Sequence, residues 1–226
     1  MKLLQKPFTL LIGGLLVAYV GWLRPRIARW GTAEGEMAGP QPGDNLIPES
    51  MLQLNHSITI QAPPERVWQW VVQIGYERGG FYSYDCLERL AGLKGLKSVN
   101  HIDPALQNLQ VGDTVKISPV SPMTVAVLQK NRALVLRMLM NPISALPVDR
   151  MHPAEPWMDW TWAFLLTPIA GDNGSGQACR LTSRVRAAYA PYLPLWPLLT
   201  VGVEPAAFLM DRKMLARIKS LAEGGL

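Results

Sequence analysis

The sequence predicts an α+β fold in which an antiparallel sheet packs against one long helix at the carboxyl end of the chain. Between residues 111 and 189, short segments alternate apolar and polar side chains, as strands with one buried face do. The last segment, about 205–222, instead spaces its apolar residues by three and four positions, which gives a helix one apolar stripe. That stripe consists of Val203, Ala207, Met210, Met214, Ile218 and Leu221. Because it must be buried, we expect it to lie on the concave face of the sheet.

The other elements are predicted in chain order. The first strand covers 56–61, where β-branched residues alternate with polar ones. A helix follows over about 64–74, because the prolines before Glu65 favour a helix start and apolar residues recur at helical spacing up to Gly75. A second short helix is predicted over 82–91. The later strands lie around 115–117, 125–127, 132–140, 157–167 and 179–189, and the Gly-rich stretch 171–176 is the loop between the last two.

Side-chain parity predicts which residues line the inside of the sheet. Arg137 shares the parity of Ala133 and Val135 and is expected on the wet face, with pairing to an acidic ligand as the alternative. On the last strand, polar residues at the even positions 180–186 alternate with apolar ones, so we expect one wet face there too. The inward set is Leu134, Leu136, Met138, Met140, Trp160, Trp162, Phe164, Leu166, Leu181, Val185, Ala187 and Tyr189.

The charge pattern excludes a nucleic-acid binder. The chain has 22 basic and 17 acidic residues, a net charge of +5. All of that excess lies in the first 30 residues, which hold five basic residues and no acidic ones. The remainder is neutral and lacks the basic patch that nucleic-acid recognition needs. With 49% hydrophobic and 17% charged residues, the chain is also not a disordered one.

Cysteine and histidine spacing indicates no metal site. Cys86, Cys179, His56, His101 and His152 do not form the short C-x-x-C or H-x-x-x-H spacings of metal ligands. We therefore predict no metal and no cofactor. The two cysteines are expected to be small buried thiols.

An uncharged apolar segment near the amino end predicts a membrane anchor. Residues 8–23 are flanked by two lysines on one side and three arginines on the other. Sixteen helical residues span about 24 Å, short of a hydrocarbon core of about 30 Å, and snorkelling basic residues with interfacial tryptophans extend that reach. A cleaved signal peptide and a buried helix are the alternatives. The flanking charges nearly balance, so the side of the membrane is not predicted.

Composition divides the chain into three parts. Residues 1–30 are the anchor segment, and 31–53 form a Gly/Pro-rich linker without apolar periodicity. Residues 54–226 are then the folded domain.

Several stretches resemble a known superfamily. They are ITIQAPPERVWQWVVQIGYERGGFYSYDCLERLAG (58–92), HIDPALQNLQVGDTV (101–115), RALVLR (132–137) and EPAAFLMDRKMLARIK (204–219), with PGDNLIP (42–48) similar to membrane-anchored members. Together with the element order, they resemble the START-like helix-grip superfamily, also called SRPBCC or polyketide cyclase/dehydrase-like. The resemblance implies a sheet wrapped around the terminal helix and a hollow between them. It does not imply one activity, because the superfamily includes binders, lipid carriers and cyclases.

Aromatic and thioether side chains on the inner surfaces predict a ligand pocket, with a core filled by these side chains as the alternative. The predicted pocket residues are Tyr82, Tyr84, Met138, Met140, Trp160, Trp162, Phe164, Tyr189, Met210 and Met214. Tyr82, Tyr84 and Asp85 are also the candidate acid–base group of an enzyme, with helix anchoring and ring packing as the alternative. His152 and Glu155 are a second candidate pair or an ordinary polar loop.

The function predicted from these features is a membrane-anchored protein that binds a hydrophobic small molecule or lipid between the sheet and the terminal helix. One alternative is a cyclase- or dehydratase-like enzyme acting on an apolar substrate. Another is a protein-interaction module whose cavity is vestigial. The apolar, proline-broken segment 190–203 is expected to form a lip over the pocket, to rest on the bilayer or simply to connect two elements.

Overall fold

The computed structural model describes residues 13–84, 97–149, 155–171 and 177–224. In these ranges six antiparallel strands form one sheet in the spatial order β1-β6-β5-β4-β3-β2. The helices are α1 (13–27), α2 (Pro64–Val72) and α3 (Tyr192–Ala222). The strands are β1 (Leu52–Ile60), β2 (Thr114–Ser118), β3 (Ser121–Gln129), β4 (Ala133–Met140), β5 (Trp157–Ala170) and β6 (Gln177–Ala190). The α+β fold with its long carboxyl-terminal helix is confirmed and is consistent with a helix-grip arrangement.

The inner face of the sheet, defined as the face against α2 and α3, carries the main core. The inward parity predicted for β4 and β5 is confirmed, because the alternating residues from Leu134 to Met140 and from Trp160 to Leu166 all belong to this cluster. From α3 the cluster receives Met214, Leu215 and Ile218. The second half of α3 is therefore held against the sheet by apolar burial.

Cys179 belongs to that core, and its burial predicts that its thiol reacts slowly with alkylating reagents. Burial, with a smaller contribution from the charge of Glu65, raises the pKa of Cys179 to about 11. In a Cys86→Ser variant we expect iodoacetamide at pH 8 to alkylate the folded protein at least about 100-fold more slowly than the protein unfolded in guanidinium, since the thiolate is the nucleophile. Equal rates in the two states would contradict the burial. Cys86 itself lies outside the described residues.

The outer face of β6 is covered, so the expectation of a wet face is wrong. Arg184 is only 3% exposed and pairs with both carboxylate oxygens of Asp44, at 3.0 and 2.9 Å. It also donates to Asn55 Oδ1 at 2.6 Å. The physical reason lies on the neighbouring strands, which present an apolar outer cluster that needs a cover. Met37 and Leu46 supply that cover to Ala133, Val135, Ala163 and Leu165.

Two glycines allow residues 28–48 to run this close to the sheet. Gly31 (φ +73°) lies so near Ser57 that a Cβ would come within 2.0 Å of the Ser57 carbonyl oxygen. Gly43 (φ +88°) would place a Cβ 2.7 Å from a methyl group of Val135. Both backbones are in the left-handed region that favours glycine. The segment predicted as a linker thus packs along the outer face. Strand β1 begins at Leu52, before the predicted end of that linker at residue 53. The three-part division of the chain stays a prediction.

Arg137 faces outward, on the side predicted for it. Its guanidinium donates to both carboxylate oxygens of Asp159, at 3.0 and 2.6 Å. The hydrogen bond to Asp159 raises the pKa of Arg137. The ion-pair partner of Arg137 is therefore a residue of the neighbouring strand in the same sheet.

The terminal helix is longer than predicted. It begins at Tyr192 instead of residue 205, and it widens into a π-helical stretch at Leu198–Val203. The prolines at 194 and 197 do not break the helix, because the first lies in its opening turn, where proline is tolerated, and the π-helical stretch follows the second. Val203, predicted in the buried stripe, is 48% exposed. The short helix predicted over 82–91 does not begin at Tyr82, whose φ is +56°, and 85–91 lie outside the described residues.

Helix α1 packs beside the first half of α3. Arg24 forms a bidentate ion pair with the buried carboxylate of Glu204, at 2.8 and 2.9 Å. One turn earlier on each helix, the Tyr19 hydroxyl donates to the Thr200 carbonyl at 2.7 Å. Both helices expose large apolar side chains, namely Leu15, Leu16, Val17, Trp22 and Leu23 on α1 and Leu193, Leu198, Val201, Val203 and Leu209 on α3. This pair of helices leaves an extended apolar surface outside the core.

Length and composition single out one helix in the described ranges as able to cross a membrane. It is α3, with 31 residues and a mean hydropathy of 1.4 in its apolar window, of which 22% is buried in the protein. The N-terminal transmembrane helix predicted over 8–23 is not shown, because α1 is short and residues 1–12 lie outside the described part.

Candidate functional site

A cavity of about 280 Å³ lies between the inner face of the sheet and α3. From the sheet its wall includes Leu54, Trp160, Trp162 and Val185, and from α3 it includes Ala207, Met210 and Met214, with Phe81 and Ile117 completing the apolar lining. The volume is close to the lower end of the range for small-molecule sites, about 300–1,000 Å³. Core side chains therefore do not fill the space between sheet and helix.

The wall is apolar apart from three of the described residues. The two tryptophans of the wall use their indole N–H groups inside the protein, because Trp162 donates to Ser183 Oγ at 2.9 Å and Trp160 donates to Met140 Sδ at 3.2 Å. The polar residues in the lining are His56, Ser83 and Asp211. Hydrogen bonding inside the cavity is therefore concentrated on these three.

His56 and Asp211 form a buried pair across the interface between β1 and α3. Nδ1 of His56 lies 2.6 Å from Oδ2 of Asp211, and the histidine is 1% exposed. The edge of the Phe208 ring approaches the imidazole at a centroid distance of 5.4 Å. Since a carboxylate accepts hydrogen bonds, Nδ1 carries a hydrogen and donates it to Asp211. The pair thus fixes the orientation of the ring.

Two of these three polar residues have an unused hydrogen-bonding atom. Among the described residues, His56 Nε2 and Ser83 Oγ are buried and have no partner. The other two such atoms, Nε of Arg78 and of Arg186, belong to guanidinium groups that donate through another nitrogen, Nη2 of Arg78 to the Val72 carbonyl and Nη1 of Arg186 to Gln53 Oε1. Buried polar atoms are nearly always paired in proteins, so two unpaired ones in one cavity wall point to a missing partner.

Four of the predicted pocket residues line the cavity, namely Trp160, Trp162, Met210 and Met214. Met138, Met140 and Phe164 are buried in the main core, and Tyr189 packs in a second cluster with Leu52, Leu195 and Leu199. Tyr84 is 42% exposed, with Lys213 Nζ 5.6 Å from its ring centroid. Asp85 and His152 lie outside the described residues, and Glu155 is exposed.

Tyr82 is turned toward a polar network beneath the loops. Its hydroxyl accepts a hydrogen bond from Gln73 Nε2 at 2.8 Å, and burial raises the pKa of Tyr82 to about 12. Gln73, which is fully buried, also donates to the His101 carbonyl and accepts from the Asp103 N–H. Tyr82 therefore helps to tie the 79–82 turn to the 101–107 loop.

Neither His56 nor Asp211 is among the residues predicted from the sequence, although the signal for both is present. His56 shares the parity of Ile58 and Ile60, which places it on the inner face of β1. Asp211 stands four residues after Ala207 and three before Met214, directly on the apolar stripe of α3. A polar residue on each of two apolar faces that must pack together predicts a buried pair.

The sequence matches no protein-family model and no curated protein. Solved structures that resemble the chain include SRPBCC-type folds. One is truncated norcoclaurine synthase from Thalictrum flavum, with a TM-score of 0.39, 13% identity and coverage of 75% of this chain and 92% of that one. A protein from Mesorhizobium loti has a TM-score of 0.38 and 15% identity, covering 75% and 96%. A hypothetical protein from Helicobacter pylori has a TM-score of 0.42 and 11% identity, covering 80% and 94%.

These likenesses concern the type of fold alone. At such identities and TM-scores they carry no argument about what the chain binds or does. The cavity and its lining are therefore the basis for any functional proposal.

Proposed function

We propose that this protein binds a hydrophobic small molecule, or one end of a lipid, in the cavity between β1, β5, β6 and α3. The observation that supports it most is the unfilled space of about 280 Å³ with apolar walls. Burial of apolar ligand surface contributes about 25 cal/mol per Å² to the free energy of binding. An apolar molecule that displaces water from such a cavity therefore binds favourably. No covalent step is required.

The size of the cavity limits the occupant. A volume near the lower end of the small-molecule range suits a molecule of one or two rings, or a short apolar chain. Methionines at two wall positions can adapt to different shapes, because the thioether side chain is flexible and polarisable. We expect the affinity for a ligand to depend more on the apolar surface area of that ligand than on its detailed shape.

Calorimetry with 2-methylnaphthalene tests this proposal. The full chain is placed in phosphatidylcholine nanodiscs, and empty nanodiscs are the blank. We expect saturable binding with about one site per chain and a negative heat-capacity change, the signature of apolar burial. Heat no greater than that of the blank would contradict the proposal.

We further propose that the protein works at a membrane surface, anchored through 8–23. Support comes from the apolar side chains that α1 exposes beside α3, including Leu15 (61%) and Val17 (74%). Exposed apolar surface of this extent is typical of an interaction site. An anchor there would hold the cavity next to a bilayer that can supply apolar ligands.

The anchor is tested by charge substitution. Leu15→Asp combined with Val17→Asp is expected to release the chain from phosphatidylcholine vesicles in a flotation assay, because an aspartate deep in the bilayer costs about 2.5–3.5 kcal/mol. Val111→Asp is the matched control, since Val111 is equally exposed (62%) but precedes β2, away from α1. Continued flotation of the double variant would contradict the anchor.

A further inference from the structure

The polar residues of the cavity wall restrict which functional group the ligand can carry. This inference rests on the proposed binding function. His56 lines the cavity, is 1% exposed and leaves Nε2 without a partner. Ser83 lines the same cavity, and its buried hydroxyl oxygen is also unpaired. An apolar occupant alone would leave both atoms unsatisfied, which costs free energy.

The hydrogen bond to Asp211 decides what Nε2 can do. With the Nδ1 hydrogen donated to the carboxylate at 2.6 Å, Nε2 accepts a hydrogen bond in the neutral imidazole and donates one in the imidazolium. A ketone or an ether satisfies Nε2 in the second form only. A hydroxyl satisfies Nε2 in both forms, because it can donate and accept.

Charge excludes two other donors. An ammonium group would need a counter-ion in an apolar wall whose one lining carboxylate, Asp211, is already engaged with His56. A carboxylic acid would lie beside Asp211 and would have to be bound in its protonated form, which costs free energy near neutral pH. A neutral hydroxyl avoids both costs, and it can also pair with the Ser83 hydroxyl, since each can donate or accept.

We propose that the ligand is an apolar alcohol or phenol, whose hydroxyl forms a hydrogen bond with Nε2 of His56 while its hydrocarbon body occupies the cavity. Asp211 acts here as a positioning residue, because it engages Nδ1 and leaves Nε2 for the ligand. Ser83 is a second polar residue of the same lining. The remaining wall recognises the body of the ligand by apolar area alone.

The test compares 2-naphthol with 2-methylnaphthalene, which differ only by a hydroxyl in place of a methyl group. A purely apolar cavity prefers the methyl compound, because that compound gains more from leaving water. We expect the full chain in nanodiscs to bind 2-naphthol about tenfold more tightly, as a hydrogen-bonding site does when its partner group is present.

A double variant, His56→Leu with Asp211→Leu, removes the pair without leaving a buried charge. We expect it to lose the preference for 2-naphthol, so that 2-naphthol binds no more tightly than 2-methylnaphthalene. Equal binding of the two probes to the unmodified chain, or a preference that survives in the double variant, would overturn the hydroxyl assignment while leaving cavity binding intact. Failure of both probes to bind the unmodified chain would instead remove the proposed function and this inference with it.

A second readout needs no variant. In the ¹⁵N-labelled chain, the Nε2 resonance of His56 is expected to shift on addition of 2-naphthol and to stay in place with 2-methylnaphthalene. His101 is the internal reference, because it is a described residue that is not part of the cavity lining. A 2-naphthol titration that saturates without moving the His56 Nε2 resonance would overturn the proposal even if the double variant failed to fold.

Discussion

Replacing Ala207 with phenylalanine is expected to reduce the affinity for 2-methylnaphthalene by at least about tenfold. Ala207 lies on the face of α3 that lines the cavity, so a phenyl group there occupies the space of about 280 Å³ that the ligand needs. The helix tolerates the change, because the new ring enters a void and does not displace packed side chains. Calorimetry on the full chain in nanodiscs measures the effect.

Ala206→Phe is the matched control for that variant. Ala206 is the preceding residue on the same helix, but it is exposed and is not part of the cavity wall. We expect it to bind 2-methylnaphthalene like the unmodified chain. Equal loss in both variants would mean that the ring disturbs the helix, and unchanged binding in Ala207→Phe would place the ligand somewhere else.

The second large effect is on stability. Replacing Asp44 with alanine is expected to lower the free energy of unfolding by about 3 kcal/mol, the low end for breaking a buried ion pair by removal of one partner. The change removes the carboxylate from Arg184, which is 3% exposed in the intact protein, and leaves it the side-chain oxygens of Asn55 at 2.6 Å and Gln53 at 3.4 Å as acceptors. It also removes the acceptor for the Gln41 N–H. A guanidinium chloride titration of the full chain measures the shift.

Glu49→Ala is the control, because Glu49 is an exposed acidic residue five positions further along the same segment. We expect Glu49→Ala to leave the free energy of unfolding almost unchanged. If Asp44→Ala also left the midpoint unchanged, the segment 28–48 would contribute nothing to the outer face, and the cover over Val135 and Ala163 would be dispensable.

Parity and periodicity were sufficient to predict the sheet and its inner face. The alternation in β4 and β5 is long and strict, so the placement of Leu134 or Trp162 followed from a period of two. The stripe of α3 was equally clear from Ala207 to Leu221. Such patterns depend on neighbouring residues alone, which is why they can be read from one chain.

What escaped prediction depends on residues far apart in the sequence. The cover over the outer face joins Asp44 to Arg184, 140 positions later, and the Gly/Pro-rich segment that makes it has no periodicity. The pair of His56 with Asp211 spans 155 positions. Each partner alone is an ordinary polar residue, and only the packing of β1 against α3 brings them together at the cavity.

The early start of α3 was missed for a different reason. Prolines at 194 and 197 argue against a helix over 190–203, and Pro205 favours a helix start at that point. Pro194 lies in the opening turn, and the π-helical stretch Leu198–Val203 follows Pro197 and precedes Pro205. The backbone therefore accommodates all three prolines without ending the helix.

Native mass spectrometry of the full chain, extracted in mild detergent from the cells that produce it, tests the central claim most directly. We expect an additional mass from one small apolar molecule on the unmodified chain and on Ala206→Phe, and its absence from Ala207→Phe. Repeated preparations that show only the mass of the bare chain, or the same added mass on Ala207→Phe, would contradict the claim that this cavity holds a ligand.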